Sequence, residues 1–147
     1  MKHLIIILIS SLAWVQVSKS QSIMEKENVE NVVKQFVQGA NQRMEEQVDS
    51  VLDDNFRAVV NRAFGNDQLM LIPKPVYLDM LSEGKLGGDN RTIEYLWTDI
   101  TGNNALVKVR LTGKATVFTT YISLVKNKEN QWLIVSDQPH IEQVSDN

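Results

Sequence analysis

Apolar and polar positions alternate in four runs along the second half of the chain, and short polar segments separate these runs. A period of two is typical of β-strands that bury one face. Gly102-Asn103-Asn104 and residues 126–130 connect neighbouring runs, and Gly and Asn tolerate the positive φ of hairpin turns. The pattern therefore predicts a curved antiparallel sheet with strands at residues 91–100, 105–112, 116–125 and 131–141.

The first half of the chain shows a helical period instead. One apolar stripe at three-and-four spacing predicts a first helix over residues 25–41, and a second stripe continues this spacing and predicts a second helix. The first stripe consists of Val29, Val32, Val33, Phe36, Val37 and Ala40, and the second consists of Met44, Val48, Val51, Leu52 and Phe56.

Alternation returns at residues 56–64, which predicts a first strand, and a short apolar run follows at residues 69–72. Pro73-Lys74-Pro75 then predicts the start of a third helix, because the first turn of a helix does not need the amide hydrogen that proline lacks. This helix is predicted to end at Gly84. Helices packed across one face of a bent sheet enclose a pocket, so the predicted fold class is an α+β cone.

Residues 1–20 have the pattern of a signal peptide. Lys2 precedes an apolar stretch that begins at Leu4, and Ser18 and Ser20 supply the small residues of a cleavage site after Ser20. An uncleaved membrane anchor is the alternative, although no basic stop-transfer flank follows the stretch. Cleavage leaves a single domain of residues 21–147 without stable membrane insertion, exported to the periplasm or the medium.

The composition of the chain argues against several classes of ligand. The presequence carries Lys2 and Lys19 and no acid, so its removal changes the net charge from −3 to −5, which argues against binding nucleic acid. The chain has no cysteine, which excludes disulfides, and His140 is the one histidine of residues 21–147. The remaining carboxylates lack the spacing of a calcium loop, so we predict no metal site. No phosphate-binding glycine loop is present, and we expect no cofactor.

The order of the elements resembles the nuclear transport factor 2-like cone, which is also described as cystatin-like. Within that superfamily, three segments resemble the bacterial branch named "putative lumazine-binding": Gly102-Asn103-Asn104-Ala105-Leu106-Val107-Lys108-Val109, Tyr121-Ile122-Ser123-Leu124-Val125-Lys126 and Gln131-Trp132-Leu133-Ile134-Val135. The resemblance covers nearly all of residues 21–147. It implies a pocket that accepts a flat heterocycle and a homodimer formed through the open face of the sheet.

Enzymes built on this cone generally use an Asp or His that projects into the cavity, which makes His140 and Asp99 the catalytic candidates. His140 is either a general acid or base, or a half-exposed residue at the fraying end of the last strand beside Pro139. Asp99 is either a pocket carboxylate on the face of Tyr95 and Trp97, or an aspartate that bonds the neighbouring turn. Asp137 and His140 are an odd number of residues apart, so they should lie on opposite faces.

The candidate ligand-binding residues are Arg57, Asn61, Tyr95, Trp97, Tyr121 and His140. The aromatic side chains among them could face a cavity, the core or a dimer interface. Arg57 and Asn61 share one face of the predicted first strand, where they could meet a polar ligand or solvent.

Three function classes remain. The first is an exported, homodimeric domain that binds a small apolar or heterocyclic ligand, or has an accessory role, without catalysis. The second is an isomerase-, dehydratase- or cyclase-like enzyme that uses His140 or Asp99 as the proton carrier. The third is an interaction module that presents its sheet to another protein.

Overall fold

Six strands form one sheet in the order β2-β1-β6-β5-β4-β3, and the helices cover one of its faces. The computed structural model describes residues 21–63 and 65–144 in full, and for residues 3–20 a helical backbone only. The elements are α1 His3–Gln42, α2 Glu45–Asp49, β1 Leu52–Asn61, β2 Leu69–Pro73, α3 Lys74–Ser82, β3 Thr92–Thr101, β4 Asn104–Thr112, β5 Thr116–Lys126 and β6 Trp132–Gln143.

The predicted α+β fold class is confirmed, and the four long strands lie within two residues of their predicted ends. One pairing differs from the prediction of an antiparallel sheet, because β1 joins β6 in parallel. The reason is topological: β1 enters the sheet from the helices and pairs with the last strand of the chain. The other pairs are antiparallel, and Gly102, at φ 59°, turns the chain from β3 into β4 as predicted.

Helix α1 ends in a tight backbone turn at Arg43. The amide of Arg43 donates to the carbonyl of Ala40, and the amide of Met44 donates to the carbonyl of Gly39. Arg43 has the left-handed φ of 55° that this type of helix end requires. Its guanidinium donates to the carbonyls of Gly84, Leu86 and Gly87. These bonds attach the end of α1 to the loop after α3.

The predicted second helix is wrong beyond Asp49. Helix α2 contains only Glu45–Asp49, and β1 already begins at Leu52. Leu52 and Phe56 are four residues apart, a spacing that places two side chains on one face of a helix and also on one face of a strand. Both are buried within β1. The predicted first strand therefore starts four residues earlier than expected, and Phe64, its predicted end, lies outside the described residues.

The core lies between the helices and one face of the sheet, which we call the inner face. Val107, Ile122 and Ile134 on this face are fully buried, as are Val29 and Val33 of α1. We call the space that the helices and the inner face enclose the cone interior, and the opposite side of the sheet the outer face.

Three aromatic rings from different elements meet in the cone interior. The ring of Tyr77 in α3 lies 5.9 Å from that of Phe36 in α1 and 5.4 Å from that of Phe56 in β1. Aromatic rings at such separations attract each other in addition to burying apolar surface. This cluster fixes the position of α3 against α1 and β1.

Within residues 21–63 and 65–144, no helix is long and apolar enough to cross a membrane. The predicted signal peptide, residues 1–20, and its cleavage site lie outside the fully described residues and stay predictions.

Candidate functional site

The inner face of β5 runs from an open end to a closed end of the cone. Thr116 and Phe118 are half-buried, whereas the following inner residues, Thr120, Ile122 and Leu124, are buried. Alternation along the strand points all five side chains into the cone. The wide, open end therefore lies near Thr116, and a group that enters there reaches Thr120 next.

Asp137 is a buried carboxyl group on the inner face of β6. The hydroxyl of Thr120 donates a hydrogen bond of 2.5 Å to its Oδ1. Burial is the largest influence on the carboxyl and raises its pKa to about 6, against the smaller lowering effects of Thr120 and the Arg91 charge. Oδ2 accepts no hydrogen bond from residues 21–63 or 65–144, and 9% of the residue stays exposed. An incoming group could therefore bond to Oδ2.

Tyr77 provides a second polar group in the cone interior. Its ring packs against Phe36 and Phe56, and its hydroxyl makes no hydrogen bond to the described part of the chain. Burial, and then the charge of Asp137, raise the pKa of Tyr77 far above its ordinary value, although Arg91 opposes this. The hydroxyl therefore keeps its proton at physiological pH and can donate it in a hydrogen bond.

Arg91 stands at the wide end of the cone. Its guanidinium carbon lies 4.2 Å from the centre of the Phe118 ring, and its Nη2 donates to Thr116 Oγ1 at 3.4 Å. The backbone of Arg91 is held by two reciprocal hydrogen bonds of 3.0 Å with the side-chain amide of Asn41. Helix α1 thereby sets the position of the cation that faces the interior.

A groove of about 560 Å³ lies outside Arg91, between the end of α1 and the start of β3. It is lined by Lys34, Gln38, Asn41, Gln42, Asn90, Arg91, Thr92, Ile93 and Tyr95. Arg91 borders both the groove and the cone interior. The site as a whole combines apolar walls with a few convergent polar groups, which is the usual composition of a small-molecule site.

Asp99 does not share a face with Tyr95, which corrects the sequence prediction. A β-bulge lies between Tyr95 and Trp97, so that Tyr95 pairs with Val109 and Trp97 pairs with Lys108. The extra residue, Leu96, reverses the alternation. Tyr95 therefore points to the inner face, whereas Trp97 and Asp99 are exposed on the outer face.

His140 is exposed on the outer face, opposite Thr119, and stands within β6 and not at its end. The prediction that Asp137 and His140 lie on opposite faces is confirmed, because Asp137 pairs with the buried Ile122. An irregularity between Ile134 and Ser136 reverses the alternation of β6. Asp137 was not among the site residues predicted from the sequence, and strict alternation from Trp132 would place it on the outer face. The available signal was a charged residue two positions after the apolar run 132–135, within the same predicted strand.

The other candidate ligand residues do not all lie on the same face of the sheet. Arg57 and Asn61 do share a face, as predicted, but it is the exposed outer face of β1. Tyr121 is also on the outer face, where the ammonium of Lys108 lies 5.0 Å from its ring centre. Tyr95 is the one candidate on the inner face, and its hydroxyl donates to the backbone carbonyl of Glu30 at 2.6 Å. The six predicted residues therefore do not form one site.

No group of three or more His, Asp or Glu side chains converges on a common point within residues 21–63 and 65–144. The carboxylates near the candidate site have other partners. Asp89, for example, accepts from the amide of Lys114 and from the hydroxyl of Thr116. The chemistry that this site offers is hydrogen bonding by Asp137 and Tyr77 and proton transfer by Asp137.

Solved structures of several bacterial proteins share this fold. A nuclear transport factor 2-like protein of unknown function from Shewanella baltica is 15% identical, with a TM-score of 0.72 over 82% of this chain and 95% of that chain. A protein of unknown function with a cystatin-like fold from Nostoc punctiforme is 10% identical, with a TM-score of 0.67 over 81% of this chain and 92% of that one.

A ketosteroid isomerase-like protein from Erwinia carotovora atroseptica is 12% identical, with a TM-score of 0.64 over 83% of this chain and 98% of that chain. At such identities the likeness concerns the fold alone. No curated protein matches the chain. A sequence-family profile described as "putative lumazine-binding" matches residues 24–138. The chain thus belongs to this nuclear transport factor 2-like family.

Proposed function

We propose that the protein binds a small, largely apolar heterocycle in the cone interior, with Asp137 and Thr120 as its polar anchor. The observation that carries the proposal is the Asp137–Thr120 pair, buried in a largely apolar interior with Oδ2 left without a partner among the described residues. A buried polar group without a complete set of hydrogen bonds costs stability, and a ligand could supply the missing bond. The family name adds support for a flat heterocyclic ligand.

Lumazine itself is a suitable first probe, because it is flat and carries an imide edge with N–H donors and carbonyl acceptors. In the proposed complex an imide N–H donates to Oδ2 of Asp137, while the Tyr77 hydroxyl donates to a carbonyl. The rings of Phe36 and Phe56 pack against the ring of Tyr77 and restrict its movement. These contacts hold the Tyr77 ring in the orientation that the proposed complex uses.

The test is a fluorescence titration of residues 21–147 with lumazine. Asp137→Asn replaces the free acceptor by an amide and should weaken binding by about tenfold, the effect of one good hydrogen bond to a charged or strongly polar group. Asp99→Asn makes the same change on the outer face and should bind like the wild type. Equal affinities of the two variants, or no binding by the wild type, would refute a site at Asp137.

A second candidate function is proton transfer to or from a carbonyl compound by Asp137, with Tyr77 as hydrogen-bond donor to the carbonyl oxygen. One observation favours it: the carboxyl and the phenol both lie in the cone interior, and burial raises the pKa of Asp137 to about 6, a suitable value for a group that exchanges protons near neutral pH. The sequence candidates His140 and Asp99 lie outside this interior.

Proton transfer can be measured as the isomerisation of a 3-oxo-Δ5-steroid, chosen because one protein of the same fold is described as ketosteroid isomerase-like. The rate should follow a pH profile with an inflection near 6, and Asp137→Asn should abolish it. His140→Asn serves as the control. A rate that is the same for wild type and Asp137→Asn would remove the enzymatic candidate.

We also propose a homodimer through the outer face. Trp97, Lys108 and Tyr121 lie side by side there on three neighbouring strands, and Trp97 and Tyr121 are 46% and 41% exposed. Exposed aromatic residues of this size are typical of interfaces. Sedimentation should show a dimer that Trp97→Ser weakens, while Val76→Ser, at an equally exposed apolar position of α3, leaves it intact. A monomeric wild type at high concentration would contradict this.

Export through residues 1–20 is likewise a proposal that rests on the sequence pattern. Expression of the full chain in a bacterial host should give a mature protein outside the cytoplasm whose first residue is Gln21. Ile7→Lys interrupts the apolar stretch and should leave the protein unprocessed inside the cell. Normal processing of this variant would argue against a signal peptide.

A further inference from the structure

The groove outside Arg91 is positively charged in an otherwise acidic protein. Lys34 and Arg91 are the charged residues among those that line it, and no Asp or Glu is included. The whole chain has a net charge of −3. Lys34 is exposed and forms no ion pair with the described part of the chain. A cation held in a concave surface attracts a small anion more strongly than a cation on a convex surface.

Arg91 is fixed in place before any ligand arrives. The two hydrogen bonds with Asn41 hold its backbone, and the Phe118 ring and the Thr116 hydroxyl hold its guanidinium. Only 14% of its side chain is exposed. An ordered guanidinium loses little conformational entropy when it binds an anion.

The carboxylate of Asp89 neutralises the positive charge of Arg91 only in part. Its Oδ2 lies 3.5 Å from Nε of Arg91, but without the geometry of a hydrogen bond, and Nε is buried without a partner in residues 21–63 and 65–144. The Asp89 carboxylate instead accepts from the amide of Lys114 and the hydroxyl of Thr116. Within the described residues, Nη1 of Arg91 makes no hydrogen bond and remains available as a donor.

From this geometry we propose that the groove is an anion subsite, which binds a carboxylate on the ligand through Nη1 of Arg91 and the ammonium of Lys34. The flat body of the ligand then packs on Ile93 and Tyr95, which also line the groove. Because Arg91 borders the cone interior through Phe118, this inference rests on the proposed function and specifies its ligand class: a flat, partly apolar molecule that carries one negative charge.

Two probes of the same shape test the charge requirement. 2-Naphthoate carries the carboxylate, and 2-naphthamide replaces it by a neutral amide. Calorimetric titration of residues 21–147 should show naphthoate binding about tenfold more tightly than naphthamide, since a charge-assisted hydrogen bond is about twice as strong as a neutral one. Added salt should reduce this preference, because the Lys34 side chain is exposed to screening ions.

Lys34→Glu is the decisive variant, because Lys34 is exposed and its replacement leaves the core unchanged. It should reduce the preference for naphthoate to about twofold or less. Arg91→Gln should also remove the preference, and Lys108→Gln, which removes a cation from the outer face, should keep it.

The outcomes separate the two proposals. If the wild type binds both probes equally, or if Lys34→Glu keeps the preference, the anion subsite is refuted, while lumazine binding that depends on Asp137 still supports the site in the cone. If naphthoate does not bind at all, the anion subsite is refuted whatever lumazine does. A preference that disappears in Lys34→Glu and persists in Lys108→Gln supports it.

Discussion

The hydroxyl of Thr120 donates a hydrogen bond to the carboxyl group of Asp137 across the β5–β6 pair, and both residues are buried in the cone interior. Thr120 stabilises the charged form of the carboxyl, but the loss of hydration on burial outweighs this effect. The protein therefore keeps one carboxyl group that changes its protonation close to physiological pH. This group is the basis of both candidate functions and of the first prediction.

Asp137→Asn should change the pH dependence of stability. The pKa of Asp137 rises from 3.8 to about 6 on folding, so the folded protein binds the proton more tightly than the unfolded chain. This contribution to stability is fully present below about pH 4 and is lost as the pH rises through about 6. The variant, which does not titrate, should therefore gain about 2 kcal/mol relative to wild type between pH 4 and pH 7.

Urea unfolding at the two pH values measures this difference. Asp99→Asn, at an exposed position, is the control, and its difference from the wild type should stay within about 0.5 kcal/mol at both. A pH-independent difference for Asp137→Asn would mean that the carboxyl is not desolvated.

Phe56→Ala and Tyr77→Phe should change the stability of the protein by very different amounts although the two rings touch. Phe56 is 1% exposed, and its truncation leaves a cavity between α3 and the sheet, which should cost about 3–5 kcal/mol. Tyr77→Phe removes a hydroxyl that has no hydrogen bond to the described residues, and should change stability by less than about 1 kcal/mol. Denaturant unfolding at pH 7 checks both, and a large loss in Tyr77→Phe would reveal a partner for the hydroxyl.

Gly87→Ala should destabilise the protein more than Gly102→Ala. Both glycines have positive φ, 73° and 59°, so alanine is strained at either position. At Gly87 an added Cβ would also lie 2.0 Å from the carbonyl oxygen of Ala40, whereas at Gly102 nothing lies within 4 Å. We expect a loss of about 1 kcal/mol for Gly102→Ala and at least about 3 kcal/mol for Gly87→Ala. Similar melting temperatures for the two variants would contradict the close contact between this loop and α1.

Glu25 should be coupled energetically to Lys126. The Glu25 carboxylate accepts from the ammonium of Lys126 at 2.8 Å and from the indole of Trp132 at 2.9 Å, which joins α1 to the β5–β6 hairpin. These hydrogen bonds lower the pKa of Glu25, so their contribution is present above about pH 4.5 and is lost as the pH falls below it. The Glu25 side chain is 39% exposed, so solvent screening limits the coupling to about 1 kcal/mol.

A double-mutant cycle with Glu25→Gln and Lys126→Met at pH 7 measures this coupling. The neighbouring pair Lys128–Glu129 is a suitable control, because its Lys128 side chain is 90% exposed and its coupling should be near zero. Equal coupling in the two cycles would show that the Glu25 contact is no more than a surface ion pair.

The period of apolar positions, together with turn and proline signals, predicted most of the fold. The hairpin turn at Gly102 and the start of α3 at Pro73-Lys74-Pro75 were predicted correctly, because turn geometry and the missing amide hydrogen of proline are local properties. The prediction failed at Leu52 and Phe56, whose spacing fits both a helix and a strand. Packing in the sheet decided between the two, and local propensity did not.

The candidate site was decided by two irregularities in the strands. One residue is inserted at Leu96 in β3 and one between Ile134 and Ser136 in β6, and each reverses which side chains face the cone. Asp99 consequently lies outside and Asp137 inside. The sequence by itself determined the α+β class and most of the elements, since these follow from the period of apolar positions. Only the tertiary structure decided which carboxyl group is buried, because a bulge depends on how neighbouring strands pair and leaves the local apolar pattern almost unchanged.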